Sequence, residues 1–546
     1  MKTLNQAHQD FNFDALIGEQ LRGSAQAINA YVECCQRYAG QHQTALLWEG
    51  KNGESSQWSF EQLDDASGKL GNYFKRLGLK KGDCIAGLLP RTPELLITVL
   101  AAWRIGAVYQ PLFTAFESKA IEHRIETAQT QLIVTNADQR PKLNSVKAPH
   151  ILTVQAGQAS QDADFWTVLE QQPAGCEPEM LTFDDHVLMM FTSGTTGLAK
   201  SVPVPLKAVL AFKGYMTHAV DLRPEDSFWN LADPGWAYGL YYGITGPLSL
   251  GHSIIMDERA FSVDNALQII RKYKVSNLTG SPTAFRMFFG FKEKFDASIK
   301  AHLRVVSSAG EPLTPEVIHW FNHDLGVNIY DQYGQTELGM VIANHHALEH
   351  YKKVGSAGYA IPGHRFAVLD KAHQEVELGG IGTLAIDCSQ SPLFWFSGYG
   401  GNNRKSFAGH YYLTGDTVRL NEQGGVDFIG RADDVITTSG YRVGPFDVES
   451  TLLECEEVLE SAVVGKPDLE RTEIVKAFVV LKPQYAASAA LMQQLQDYVR
   501  SRLSKHAYPK EIEFVANLPK TSSGKIQRNL LKQQEIAKVE NMQKAV

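Results

Sequence analysis

Val187–Phe191, followed by Thr192-Ser193-Gly194-Thr195-Thr196-Gly197-Leu198-Ala199-Lys200, is the stretch on which the reading of this chain turns. Five apolar residues in a row predict a buried strand, and the polar run behind them predicts a loop at its end. Gly194 and Gly197 let the backbone approach an anion closely, while four hydroxyls and a lysine supply donors suited to phosphate oxygens. The spacing is not that of a Walker A loop, since Lys200 stands three residues beyond Gly197 instead of next to it. For the segment alone two readings stay open: a phosphate cradle at the end of a strand, or a polar hairpin loop.

Strand and helix patterns alternate outward from this loop. Thr44–Trp48 reads as a strand and Asn52-Gly53 as a tight turn. Phe60–Leu77 has helical apolar spacing and stops at Gly78. Ile85–Leu89 reads as a strand, Glu94–Arg104 as a helix, and Ala107–Leu112 and Gln131–Thr135 as strands. A second alternating block runs from Val187 to Ile342. Such alternation predicts parallel α/β sheets. Strand-rich sequence with glycine turns from Gly355 to Gly430 predicts a β subdomain, and beyond Asp434 shorter α/β units follow, ending in a Gln- and Lys-rich tail. At roughly 150 residues per domain the length allows two to four domains. No internal repeat and no long linker is visible, so the domains should touch.

Composition narrows the class. The net charge of −8 argues against a dedicated nucleic-acid binder. The charge is uneven, with nine Lys/Arg against four Asp/Glu between Ser501 and Val546. Six cysteines, at 34, 35, 84, 176, 388 and 455, form no Cys-x-x-Cys pair and fit a reducing, cytoplasmic compartment. The first twenty residues hold Asp10, Asp14 and Glu19 and show no signal peptide. The longest apolar stretch, Leu95–Trp103, is too short to span a bilayer.

Thr192–Lys200 resembles the phosphate loop of the acyl-adenylate-forming (AMP-binding) superfamily, and six further motifs follow in that family's order. They are Ala309-Gly310-Glu311-Pro312, Tyr333-Gly334-Gln335-Thr336-Glu337, Tyr412-Leu413-Thr414-Gly415-Asp416, Gly430-Arg431-Ala432-Asp433-Asp434, Ser439-Gly440-Tyr441-Arg442 and Pro519-Lys520-Thr521-Ser522-Ser523-Gly524-Lys525. The resemblance implies a large body, residues 1–432, of parallel α/β sheets plus a β subdomain. It implies a small, mobile α+β cap, residues 433–546, turning at Asp433.

The family also implies a site. Thr192, Ser193, Gly194, Thr195, Thr196, Gly197 and Lys200 would hold phosphates. Gly310-Glu311-Pro312 and Asp331-Gln332-Tyr333 would flank the adenine, with Tyr333 stacking and Asp331 accepting from the amino group; Gln335 completes the nucleotide set. Thr336 would donate to the α-phosphate and Glu337 would hold Mg²⁺ as a hard oxygen ligand. Asp416 suits a ribose, because a carboxylate accepts from two hydroxyls at once. Arg431 would reach the ribose or phosphates; pairing with Asp433 or Asp434 is the competing reading. Lys525 would bridge the carboxylate and the α-phosphate as charge develops, serving the adenylation step only.

Ser439, Gly440, Tyr441 and Arg442 resemble the loop lining the path of CoA, with Arg471 and Arg500 as further phosphate candidates or plain surface arginines. Trp236, Tyr238, Gly239, Ala309 and Gly334 are the expected acyl pocket. Acetate-specific relatives close that pocket with a tryptophan at the position of Gly334, so glycine there implies room for short- to medium-chain aliphatic acids. The expected reaction is that of a magnesium-dependent acyl-CoA synthetase of fatty-acid metabolism: acid, ATP and CoA give acyl-CoA, AMP and pyrophosphate through an acyl-adenylate. Lysine acetylation at Lys525 by a partner acetyltransferase would remove the charge that step uses. One alternative is an acyl-AMP ligase that loads a carrier-protein thiol. A remote one is a zinc hydrolase using His346, Glu349 and His350, which match H-x-x-E-H and would share a helix face.

Overall fold

The Phe60–Arg76 helix shows how closely local chemistry sets the elements. Ser59 caps it: its Oγ accepts from the Gln62 amide at 3.2 Å, while the Gln62 side chain accepts from the Ser59 amide at 2.8 Å. Phe60, Leu63, Leu70 and Phe74 form its buried stripe, and Gly78 at φ +86° turns the chain away. The Pro93–Arg104 helix begins with proline in its first turn and is buried everywhere except Glu94. The computed structural model describes residues 2–157, 161–192, 199–400, 403–431, 433–438, 441–468, 471–503, 507–521 and 525–544, the last five of these and 441–442 in backbone only.

Three large sheets make the body. The first runs Ser201–Pro205, His186–Phe191, Val108–Pro111, Cys84–Leu88, Leu132–Asn136, His150–Val154 and Ala163–Asp164. All its pairs are parallel except His186–Phe191 with Ser201–Pro205, which form a hairpin around the glycine-rich stretch. Thr44–Glu49, read from the sequence among the alternating units, does not join it. It pairs instead with Ser55–Ser59, through a turn with Gly53 at φ +93°, and with Ile254–Asp257.

The second sheet runs Phe228–Asn230, Asn277–Gly280, Val305–Ala309, Asn328–Gln335, Gly339–Ala343 and Tyr359–Ala360. Its first four strands are parallel, so the C-terminal ends that carry Gly310 and Asp331–Gln335 open on one edge, where α/β sheets bind ligands. The third sheet is antiparallel, as expected for a β subdomain. Phe366–Leu369 pairs with Ile381–Asp387, which pairs with Tyr411–Leu420, and Phe407–Ala408 and Val426–Arg431 flank the last of these.

The last body strand ends at Arg431, and a separate sheet begins at Ile436–Thr438 with Tyr441–Val443, Thr472–Leu481, Val458–Asp468 and Glu511–Phe514. Helices Pro445–Leu453 and Ala489–Arg502 close it over its own core of Ile436, Val448, Leu452, Val463, Val475 and Leu495. This is the α+β cap. Among the described residues no helix is long and apolar enough to cross a membrane.

The zinc reading of His346, Glu349 and His350 is corrected by the backbone. Leu348–Glu349 is a short strand paired in parallel with Lys2–Thr3, so the helical face needed to align two imidazoles is absent. His346 is buried against Tyr330 and contacts the Val306 carbonyl at 3.0 Å, and the His350 Nε2 accepts from the His345 amide. No group of three His, Cys, Asp or Glu among the described residues could hold a metal ion.

Candidate active site

A cavity of about 760 Å³ opens where the edge of the second sheet, the third sheet and the cap meet. That is ample for a nucleotide and the head of a small acid. From the second sheet Gly310, Glu311, Pro312 and the run Asp331–Glu337 line it; from the third, Thr414, Asp416 and Arg431; from the cap, Lys525 and Arg528. Gly310 holds φ +103°, a conformation glycine alone adopts readily, where the chain leaves its strand toward the cavity.

Asp331 is buried with both oxygens engaged, Oδ2 by the Leu313 amide at 3.1 Å and Oδ1 by the Gln332 amide at 3.0 Å. Burial nevertheless pushes its carboxyl up to about 7, the two amides only partly offsetting it. Tyr333 donates to Asp416 Oδ2 at 2.5 Å, and the Gln335 amide nitrogen reaches the same oxygen at 2.9 Å and the Thr414 carbonyl at 2.9 Å. A carboxylate far along the chain is thus fixed by two members of the Tyr333–Glu337 motif. Burial raises Asp416 above the usual range, opposed by Tyr333, Arg431, Gln335 and Lys525. Gln332 also lines the cavity, its side-chain oxygen accepting from Tyr215, which in turn meets Tyr238 at 3.0 Å. Glu311 accepts from Arg286 at 3.0 Å and from Thr283 at 3.4 Å, two residues the motifs did not indicate.

Glu337 is buried and raised by that burial, with the Tyr399 hydroxyl, donating at 2.6 Å, pulling it back. It makes no ion pair among the described residues. A desolvated carboxylate of this kind, beside Thr336 and open to the cavity, fits a hard divalent cation with oxygen ligands. Tyr241 secures the Thr336 carbonyl at 3.0 Å. At the hairpin, Thr192 and Lys200 close the base, the Thr192 amide donating to the Lys200 carbonyl at 3.0 Å. The Lys200 ammonium lies 4.7 Å from the centre of the Tyr399 ring, a cation–π distance. Ser193, Gly194, Thr195, Thr196 and Gly197 lie outside the described residues.

Lys525 sits on the cap, exposed to the cavity, and its charge acts on the Asp416 carboxylate across it. Arg431, the register partner of Asp416, lines the cavity and pairs with Asp433 at 3.3 Å. Sequence reasoning gave no role to Tyr399, Glu449 or Arg528. Arg528 grips Glu449 at 2.8 and 2.6 Å, and both residues line the cavity.

The expected acyl and CoA residues are placed less centrally. Of the former only Gly334 lines the cavity. Ala309 is buried in the core, and Trp236 packs between Phe113 and Phe116, ring centres 5.5 Å from each. Tyr238 belongs to a cluster with Tyr215 and Tyr242. Gly239 is forced by packing, since a Cβ there would stand 2.2 Å from the Asp233 carbonyl oxygen. Gly334 is forced likewise. The strand pairing shifts register between Tyr333 and Gly334, and an added Cβ would meet the Gly339 carbonyl oxygen at 2.2 Å and Met340 Sδ at 2.7 Å. Arg471 and Arg500 do not line the cavity: the Arg471 amide donates to Asp468 at 2.8 Å, and Arg500 stands 5.5 Å over the Tyr508 ring. Ser439 and Gly440, and the side chains of Tyr441 and Arg442, lie outside the described residues.

Residues 34–399 match the family model of AMP-binding enzymes, and residues 447–525 match that of the AMP-binding enzyme C-terminal domain. The chain is 34% identical to an acetyl-coenzyme A synthetase of Bacillus subtilis, covering 98% of this chain and 96% of that one. It is 51% identical to the Brucella canis acyl-CoA synthetase of known crystal structure, covering 98% and 100% of the two chains with a TM-score of 0.80. The crystal structure of the anthranilate CoA ligase AuaEII in complex with anthranoyl-AMP superposes with a TM-score of 0.84 at 25% identity, over 93% and 97% of the chains.

Proposed function

Because the chain belongs to the AMP-binding enzyme family, we propose that it is an ATP-dependent, AMP-forming acyl-CoA synthetase working through an acyl-adenylate. The observation that carries this is the convergence of Thr336, Glu337, Asp416 and Lys525 in one cavity built from body and cap together. In the first half-reaction a substrate carboxylate oxygen attacks the α-phosphorus of ATP and pyrophosphate leaves. In the second, the CoA sulfur attacks the acyl carbon, AMP leaves, and the thiol proton is released.

Two anions must meet in the first step, so positioning and charge neutralisation supply most of the rate. Lys525 brings a positive charge to where the carboxylate and the α-phosphate come together. Asp416, fixed by Tyr333 and Gln335, would offer an acceptor to the ribose, and Asp331 would accept from the adenine amino group. Thr336 would donate to the α-phosphate, and Glu337 would hold Mg²⁺, which would supply charge neutralisation at the phosphates. The cap would turn at Asp433 after adenylation, withdrawing Lys525 so that a site closed to water can admit a thiol. The boundary near residue 433 is supported by the change of sheet between Arg431 and Ile436.

For the acid we propose short- to medium-chain aliphatic substrates. Gly334 lines the cavity, while the Gly339 carbonyl and Met340 occupy the space a side chain there would take. Six free thiols support a reducing, cytoplasmic setting. Lys525 is exposed, so a lysine acetyltransferase could reach it and silence adenylation.

The decisive experiment is acid-dependent pyrophosphate exchange followed by CoA-dependent AMP release over a series of acid chain lengths. Exchange with CoA-dependent turnover is expected. Exchange that needs a carrier protein instead of CoA would favour the acyl-AMP ligase reading, and no exchange with any acid would end both.

A further inference from the structure

Arg528 opens the final helix, Arg528–Lys544, three residues beyond Lys525. Its Nε donates to Glu449 Oε1 at 2.8 Å and its Nη2 to Glu449 Oε2 at 2.6 Å, the two-pronged geometry only a guanidinium can offer. Glu449 belongs to the Pro445–Leu453 helix and is buried. Its Oε1 also accepts the Val463 amide at 2.8 Å, and its carbonyl accepts the Ser461 hydroxyl at 3.2 Å. The carboxylate is therefore fixed by a helix and a strand of the cap before Arg528 reaches it.

The segment carrying Lys525 is held at both ends. At one end the Thr521 amide donates to the Lys525 carbonyl at 2.7 Å and the Lys525 amide donates to Thr521 Oγ1 at 3.1 Å. At the other the Gln527 amide meets the Pro519 carbonyl at 2.8 Å, and the next residue is the Arg528 that grips Glu449. Arg528 is more than a strut inside the cap. It lines the same cavity as Glu311 of the body and Asp434 of the connecting segment, and although burial alone would lower it, Glu449, Asp434 and Glu311 together raise its pKa. Glu311 is in turn held by Arg286 at 3.0 Å, so charges of alternating sign run from body to cap.

We propose that Arg528 and Glu449 are a positioning pair that sets the reach of Lys525 into the cavity for adenylation. The proposal rests on the acyl-CoA synthetase reading above. Neither residue touches the reacting atoms; both act through Lys525. A lysine on an unanchored loop samples many positions, and a misplacement of about 1 Å from remote mutation can cost on the order of 100-fold.

The test separates the half-reactions in the full-length enzyme. Glu449→Gln keeps an acceptor for the Val463 amide but removes the carboxylate fork; Arg528→Lys keeps the charge and removes the two-pronged geometry. For each variant we expect kcat for acid-dependent pyrophosphate exchange to fall about 10- to 100-fold. KM for ATP and CoA-dependent turnover of chemically prepared acyl-AMP should stay within about threefold of the parent. The double variant should lose little more than either single one, as expected of residues acting as a unit. Equal losses in both half-reactions, or unchanged exchange, would overturn the proposal by reducing the pair to a fold-stabilising ion pair or to nothing. If Glu449→Gln fails to fold, Arg528→Lys carries the same comparison. Absence of exchange in the parent enzyme would be a failure of the synthetase reading itself, visible before any variant is compared.

Discussion

The Tyr399 hydroxyl donates to Glu337 Oε1 at 2.6 Å, while the ring beneath it carries the Lys200 ammonium at 4.7 Å. One side chain thus joins the base of the glycine-rich hairpin to the carboxylate read as the cation ligand. A hydrogen bond to a charged group contributes about 1.5–3 kcal/mol. Tyr399→Phe should therefore slow pyrophosphate exchange by roughly 10- to 100-fold and raise the Mg²⁺ concentration giving half-maximal rate. Tyr399→Leu, which also loses the ring, should raise KM for ATP further. Steady-state titrations with Mg²⁺ and ATP check both.

Lys525→Ala should abolish adenylation, by about 100-fold or more, and spare thioester formation. Rapid-quench assays on the acid with ATP, then on prepared acyl-AMP with CoA, make the comparison. A loss shared equally by the two would remove Lys525 from the chemistry of the first step.

The parallel layers and the order of the motifs are legible in the sequence because both are local: apolar runs make strands, and glycines and hydroxyls punctuate their ends. Pairings between distant residues are not. Tyr399 meets Glu337 across 62 residues and Arg528 meets Glu449 across 79, with no spacing rule to announce either. Gly334 shows a different limit. Its absent side chain suggests an opened pocket, yet the space is taken by the returning strand at Gly339 and Met340, which only the shifted pairing reveals.

Gly334→Ala should accordingly destabilise the body by about 1–3 kcal/mol, as overpacking against a backbone carbonyl does. It should not retune chain length, and thermal melts alongside an acid panel distinguish the effects. Met340→Ala should shift the preference toward longer acids, changing relative kcat/KM by roughly 10-fold per added methylene accommodated. An unchanged profile would place the acyl wall elsewhere.

Asp331, pushed up to about 7 by burial, gives the enzyme a pH signature. Its carboxyl is protonated below that value and ionised above it, and the ionised form would be the stronger acceptor for an adenine amino group. KM for ATP should therefore rise as pH falls through about 7, and Asp331→Asn should flatten the profile. Stability runs the other way: the folded protein holds this proton more tightly than the unfolded chain, whose Asp titrates near the ordinary value of 3.8. This residue's contribution is thus most favourable below the unfolded value and is lost as pH rises toward 7.

Asp433→Pro, which fixes φ in the connecting segment, should impair one half-reaction more than the other. The ratio of exchange rate to thioester-forming rate is the measurement, and an unchanged ratio would move the pivot away from this residue.

A cavity walled on one side by Lys525 and Arg528 and on the other by Asp331 and Glu337 makes nucleotide affinity a gauge of posture. If the cap turns as proposed, only molecules with it seated present the whole site, and the apparent Kd for ATP equals the intrinsic one divided by the seated fraction. Any substitution that unseats the cap will masquerade as weak binding, even where every group touching the nucleotide is intact. By the same linkage, saturating ATP should protect the cap from proteolysis.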